Sequence, residues 1–149
     1  MTKGNRWSVE FYEDASGKRP VEKWMDGLRD AEYLALRAAI TKVLEHDGLD
    51  LASTAWLKAL GDGLFEFRVR HDAPTIEALH SAGRAETPKA SARILLRLFV
   101  HFHGNRIILM LHGYDKGKDN SAKRQNAEIQ EARKRLRAWK LAEASNKKR

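Results

Sequence analysis

Three runs of alternating apolar and polar residues fill the middle of the chain and constrain it most. Leu64 to Arg70 (LFEFRVR) sets Phe65, Phe67 and Val69 against Glu66, Arg68 and Arg70. Ile94 to His103 sets Ile94, Leu96, Leu98, Val100 and Phe102 against Leu95, Arg97, Phe99, His101 and His103. Arg106 to Tyr114 (RIILMLHGY) turns Ile107, Leu109 and Leu111 one way. A period of two belongs to pleated strands, whose side chains point to opposite faces in turn. Gly104-Asn105 between the last two runs has the size of a hairpin turn. The chain must therefore build an antiparallel sheet, and that sheet needs partners for its apolar face.

The flanking segments supply them. Arg6 to Tyr12 alternates as a further strand and ends at the turn-forming Asp14-Ala-Ser-Gly17. Pro20 suits the first turn of a helix, and Val21, Trp24, Met25 and Leu28 form one apolar stripe. Asp30 is a suitable cap for a second helix burying Leu36, Ile40, Val43 and Leu44 and stopping at Gly48. Residues 51–60 (LASTAWLKAL) read as a short helical turn. Residues 71–93, rich in alanine with Pro74, Gly83 and Pro88, read as a mobile insertion with one helical turn over Thr75 to Leu79. A last helix starts near Ser121, with Ile129, Ala132, Leu136 and Trp139 on one stripe. The prediction is an α+β fold: an N-terminal strand and helical hairpin packed on an antiparallel sheet, with a C-terminal helix. Residues 1–143 form a single domain and 144–149 a disordered basic tail. One sheet face meets the hairpin, and the other is free to present Arg68, Arg70 and Arg97.

Charge is segregated. The net charge is +8, yet residues 133–149 hold eight basic residues against Glu143 alone, which leaves +1 for the first 132. Such an end fits a phosphate backbone or an acidic protein, and equally a solvated helix face. There is no cysteine among the 149 residues, so disulfides, thiolate metal sites and cysteine nucleophiles are excluded. No run approaches the length of a membrane span, and the start (MTKGNRWSVE) lacks the pattern of a secretory leader, so a cytoplasmic location is expected.

The strands' polar sides carry the chemistry. Arg68 and Arg70 point together, Arg97, His101 and His103 share a side, and Lys116 and Lys118 follow the last strand. Guanidinium and ammonium groups gathered in this way bind phosphate, although an exposed strand face is commonly polar without any ligand. His101, His103 and His112 are three imidazoles on one hairpin, but no carboxylate fixes a ligand geometry, so no metal is expected. Tyr114 suits either stacking on a base or closing the core beneath the last helix. Walker, GxGxxG, GxSxG and HExxH motifs are all absent from the sequence.

Five segments in order carry a resemblance: Val9–Glu13 (VEFYE) with Gly17–Val21 (GKRPV), Lys58–Arg68 (KALGDGLFEFR), Leu96–Val100 (LRLFV), Ile107–Lys116 (IILMLHGYDK) and Glu128–Leu136 (EIQEARKRL). With them the chain resembles the RelE/ParE toxin superfamily, in particular its HigB-like, phage-derived branch. The resemblance implies a RelE-like fold and the toxin of a type II toxin–antitoxin pair. It implies a ribosome-dependent mRNA endoribonuclease that needs no metal or other cofactor. The 2′-hydroxyl of the mRNA attacks the adjacent phosphodiester and leaves a 2′,3′-cyclic phosphate. In that frame Arg68 and Arg97 match basic strand positions, Arg97 stabilising the phosphorane. Lys116 matches the terminal basic position that protonates the 5′-oxygen or holds the phosphate. Glu66 and His112 are the candidates for the base, while Arg70, Lys58, Tyr114 and Lys118 would contact RNA. The implied partners are a cognate helix-turn-helix antitoxin, the ribosome and mRNA, with DNA met only through the antitoxin complex and no membrane. ParE-like members bind DNA gyrase without nuclease activity, so a gyrase inhibitor and an inactive phage-derived relative are the alternatives.

Overall fold

In the computed structural model, which describes residues 6–81 and 94–147, the alternating runs do form strands of one sheet. The strands are β1 (Ser8–Phe11), β2 (Leu57–Gly61), β3 (Leu64–Val69), β4 (Leu96–His103) and β5 (Ile107–Asp115), in the order β1-β5-β4-β3-β2. The sheet is mixed, because β1 lies parallel to β5 while every other neighbour is antiparallel. The expectation of a purely antiparallel sheet is corrected there. Both α1 (Pro20–Asp26) and α2 (Asp30–Ala39) lie between β1 and the later strands, so β1 reaches the far edge of β5 running the same way.

The helical hairpin forms as its stripes require. Pro20 opens α1, where its missing N–H costs nothing. The α2 helix runs on through a π turn (Ile40–Leu44) and a last α turn, α3 (Glu45–Asp47). The Asp30 side chain does not cap it: Glu32 reaches back to the Arg29 backbone N–H, which donates to Oε1 at 3.4 Å. Gly48 ends the helix at φ +52°, where a Cβ would lie 2.1 Å from the Trp7 ring, so only glycine fits. The hairpin buries Val21, Met25, Leu36 and Leu44 against Phe67, Leu98, Val100 and Met110 on one face of the sheet.

Two segments differ from the reading of the sequence. Within 51–60 a 3-10 helix covers Gly48–Ser53, but Leu57–Gly61 is the edge strand β2, because Lys58 and Ala59 find pairing partners in Glu66 and Phe65. Helical propensity yields to that long-range ladder. The start of the supposed insertion is the helix α4 (Ala73–Ser81), with Thr75 N–H donating to Asp72 at 3.0 Å and Ile76 fully buried in the hairpin-side core. Residues 82–93, the remainder of that segment, lie outside the described residues.

The final helix, α5 (Ala122–Lys147), corrects two further expectations. It continues through 144–147, where a disordered tail was expected, since Leu141, Ala142, Glu143 and Ala144 are good helix formers. Residues 148 and 149 lie outside the described residues. Nor is the second sheet face free: α5 lays Ala132, Leu136, Ile129 and Trp139 on Leu64, Phe99, Leu109 and Leu111. The result is three layers, with α1, α2 and α4 on one side of the sheet and α5 on the other. No helix among the described residues is long and apolar enough to cross a membrane.

Candidate functional site at the start of the last helix

Sheet register assembles the polar residues. Arg68 pairs with Arg97, and Arg97 pairs with Tyr114, so the three form one row across β3, β4 and β5. The adjoining row runs Lys58, Glu66, Phe99, His112. A bulge decides who belongs. Phe99 pairs with His112 but Val100 pairs with Met110, which leaves Leu111 as an extra residue in β5. Strict alternation would set His112 and Tyr114 opposite Leu109. The extra residue shifts the phase and brings both onto the face of Arg97 and Leu109.

Two arginines directly opposite each other repel. Glu66 offsets that repulsion from between them. It is 0 % exposed, accepts a hydrogen bond from Arg68 Nε at 3.1 Å, and lies 3.9 Å from Arg97 Nε. The other oxygen of Glu66 accepts from Gln125 Nε2 at 3.0 Å, a contact across the whole sheet-to-helix layer. Arg97 is 6 % exposed and donates through Nη1 to the Leu96 carbonyl at 3.2 Å. Its Nε has no hydrogen-bond partner, and neither has the hydroxyl of Tyr114, which is 2 % exposed.

Electrostatics follow from this crowding. Burial lowers the Arg97 guanidinium from its ordinary value, with Glu66 opposing that shift and Arg68 adding to it. Burial likewise lowers the Lys116 ammonium, helped by Arg97. Burial raises the Tyr114 phenol, and Glu66 adds to the rise, so it stays a neutral hydrogen-bond donor. Three cations, Arg68, Arg97 and Lys116, thus face one carboxylate, with Lys58 and Arg70 contributing positive potential from the rim. The surplus suits an anion.

Among the residues singled out from sequence, the structure brings Glu66, Arg68, Arg97, Tyr114 and Lys116 together, with Lys58 and Arg70 around them. His112 sits apart. Its Nδ1 accepts from Arg135 Nη1 at 2.8 Å, so Nε2 carries the proton and donates to Glu128. Burial lowers its imidazole below the usual range against the opposing pull of Glu128. Lys118 lines a different cleft of about 490 Å³ beside Pro20, Trp24, Leu28 and Asp115. His101 and His103 stack at 6.1 Å, with Trp139 4.5 Å from His103, so Trp139 packs internally. Among the described residues no group of three or more His, Asp or Glu is placed to hold a metal ion.

The α5 contribution was missed. Gln125 bonds Glu66, Arg124 lies 5.3 Å over the Tyr114 ring, and Arg124 also pairs with Glu128. Nothing local marks these residues; only the inward stripe beginning at Ile129 gives their phase. The fold and site define an α+β protein with a buried, cation-rich row at one end of a sheet. No protein-family model matches the chain, and no curated protein gives a significant match.

Proposed function

We propose that the chain is a RelE-like toxin of a type II toxin–antitoxin pair that cleaves mRNA on the ribosome without a metal ion. The observation that carries this reading is the Arg68–Arg97–Tyr114 row, with two buried donors unpartnered and Lys116 beside it. A cyclising cleavage needs an acceptor for the 2′-hydroxyl proton, charge stabilisation on a pentacoordinate phosphorane, and a proton for the leaving 5′-oxygen. The 2′-hydroxyl proton passes to solvent water, because Glu66 and His112 are engaged. Arg97 and Arg68 meet the non-bridging oxygens, Tyr114 donates a further hydrogen bond, and Lys116 gives the proton. The downward shift of Lys116 makes it a stronger acid than an ordinary lysine.

Glu66 and His112 enter this reading as holding groups. Both Glu66 oxygens already accept hydrogen bonds, so Glu66 orients Arg68 as a counter-ion. Both His112 nitrogens are engaged, so His112 ties β5 to α5. The order of strand, two helices, antiparallel strands and covering helix supports the RelE-like fold. Lys58 and Arg70 lie where they would guide flanking phosphates.

The test is tightly controlled expression in a bacterial host with mRNA 5′ ends mapped before induction and minutes after. The reading expects new ends inside translated frames and none with Arg97→Met. Growth arrest with intact mRNA and a DNA-damage response would move the protein to the gyrase-inhibitor class. A host that grows normally with soluble protein present would point to an inactive relative.

A further inference from the structure

Strand β5 outruns its neighbour at the sheet's edge. Its parallel pairing with β1 stops where Phe11 meets Met110, and the Tyr12 N–H closes it by donating to the Met110 carbonyl at 3.0 Å. The chain then leaves for α1 through a turn in which the Asp14 N–H donates to the Lys18 carbonyl. Strand β5 runs on to Asp115 with β4 along its other side. Among the described residues no strand covers the outer edge of that last stretch. The Lys116 N–H donates to the Leu95 carbonyl at 2.8 Å. Alternation therefore turns the main chain of His112 and Tyr114 toward β4, and that of Gly113 and Asp115 outward. The Asp115 carbonyl accepts from the Lys118 N–H at 3.3 Å. The N–H and carbonyl of Gly113 and the N–H of Asp115 have no partner among the described residues.

The cleft of about 490 Å³ follows this open edge. Gly113 and Asp115 line it, with Pro20, Trp24 and Leu28 from the α1 side and Arg135 from α5. Gly113 lets α1 come this close, since a Cβ there would lie 2.2 Å from the Trp24 ring. Lys23 and Lys118 also line the cleft and make no ion pair among the described residues. The one acid in the lining, Asp115, accepts from the Gly117 N–H at 2.8 Å. Burial raises its carboxyl and Glu32 adds to the rise, which weakens it as a counter-charge. We propose that this edge takes an extended acidic segment of a partner protein as a sixth strand, in line with β1 and paired to Gly113 and Asp115. Alternation gives the segment its pattern: apolar side chains against Trp24 and Leu28, with carboxylates between them toward Lys23 and Lys118. A second copy of this chain is a poor occupant. Two-fold pairing of the edges would set Lys23, Lys118 and Arg135 of one copy against the same cations of the other. The cleft includes neither Arg97 nor Tyr114, so the inference stands apart from the cleavage reading.

The test titrates the full chain with a blocked nine-residue peptide alternating valine and glutamate, while backbone amides are followed by nitrogen-15 NMR. The Gly113 and Asp115 amides should shift and gain protection from hydrogen exchange, with a Kd of about 10–100 µM. The same peptide with lysine in place of glutamate should bind about tenfold more weakly. Lys23→Glu combined with Lys118→Glu should reverse that preference, and both residues are at the surface of the cleft, away from the core. N-methylation of the peptide's three central residues, which removes its ladder N–H groups, should abolish binding. The inference is overturned if about 1 mM acidic peptide moves neither amide. It is equally overturned if the N-methylated peptide binds as well, or if the acidic and basic peptides bind alike. A nine-nucleotide oligouridylate that moves the same two amides at lower concentration would assign the edge to nucleic acid instead. A dimer whose formation alone protects them would assign it to a second copy, and either result refutes the acidic segment.

Discussion

The two faces of the sheet are built from the same strands and are unlike. On the hairpin side, β3, β4 and β5 offer Phe67, Leu98, Val100 and Met110, and α1, α2 and α4 answer with apolar side chains. On the α5 side the apolar contact stops partway. Leu64, Phe99 and Leu111 meet Leu136 and Ala132, and then the row Arg68–Arg97–Tyr114 begins, with charged and amide groups above it. The hairpin face is closed mainly by apolar burial, with buried Glu32 held by Arg29 and the buried His71 Nε2 unpartnered. The α5 face is closed by burial at one end and by hydrogen bonds to charged groups at the other, where Arg97 Nε and the Tyr114 hydroxyl are unpartnered. Apolar packing and the charged row thus dominate different faces, and substitutions separate them.

The largest effect falls on the ionic end. Arg97→Met should reduce cleavage by about 10²- to 10³-fold, the cost of losing one preorganised donor at a developing oxyanion. Its unfolding midpoint should hold or rise, because an apolar side chain of similar volume avoids the cost of burying a cation. Cleavage rates and urea unfolding on one preparation check both halves. A variant that unfolds instead would show that this row holds the fold together. On the hairpin face, Leu36→Ala should cost about 3 kcal/mol of stability in denaturant titration while the folded fraction keeps full activity.

The tie between β5 and α5 sits between these extremes. Glu128→Leu strands His112 and Arg124, and should cost about 2 kcal/mol by the same titration. A neutral result would mean that α5 is held by its apolar stripe alone. Acid should produce the smallest change. Burial lowers His71 on the hairpin side and His101 and His112 on the α5 side from the ordinary 6.5. The unfolded chain then takes up protons first, so stability is complete above pH 6.5 and declines as the pH drops below it. His71→Gln should remove the hairpin-side share of that decline, about 1.4 kcal/mol per pH unit at most. An unchanged pH dependence in His71→Gln would assign the whole decline to the α5 side.

Most of the hairpin face was legible from the sequence, because a period of two in the strands and the apolar stripes of α1 and α2 specify it, whereas the packing of α4 with its buried Ile76 was not. The shared face of Arg68 and Arg97 follows from the alternation of their strands, whereas Lys116 lies just past the end of β5 and outside any alternating run. The remainder depends on relations that no local pattern records. Leu57–Gly61 reads as helix until Glu66 and Phe65 pair with it. The bulged Leu111 reverses the phase that alternation gives to His112 and Tyr114. The inward stripe of α5 was visible, but not which sheet face it would cover. Gln125 and Glu66 are 59 residues apart, and only the packing of α5 across the sheet brings them together.

The central claim is that the row headed by Arg97 cleaves RNA by internal attack. Its most direct test combines purified protein, ribosomes programmed with a defined mRNA, a chelator, and analysis of the fragment ends. The account predicts fragments ending in 2′,3′-cyclic phosphate, formed with the chelator present and lost with Arg97→Met. Intact mRNA under conditions where the folded protein arrests growth would contradict it, as would fragments ending in 3′-hydroxyl groups.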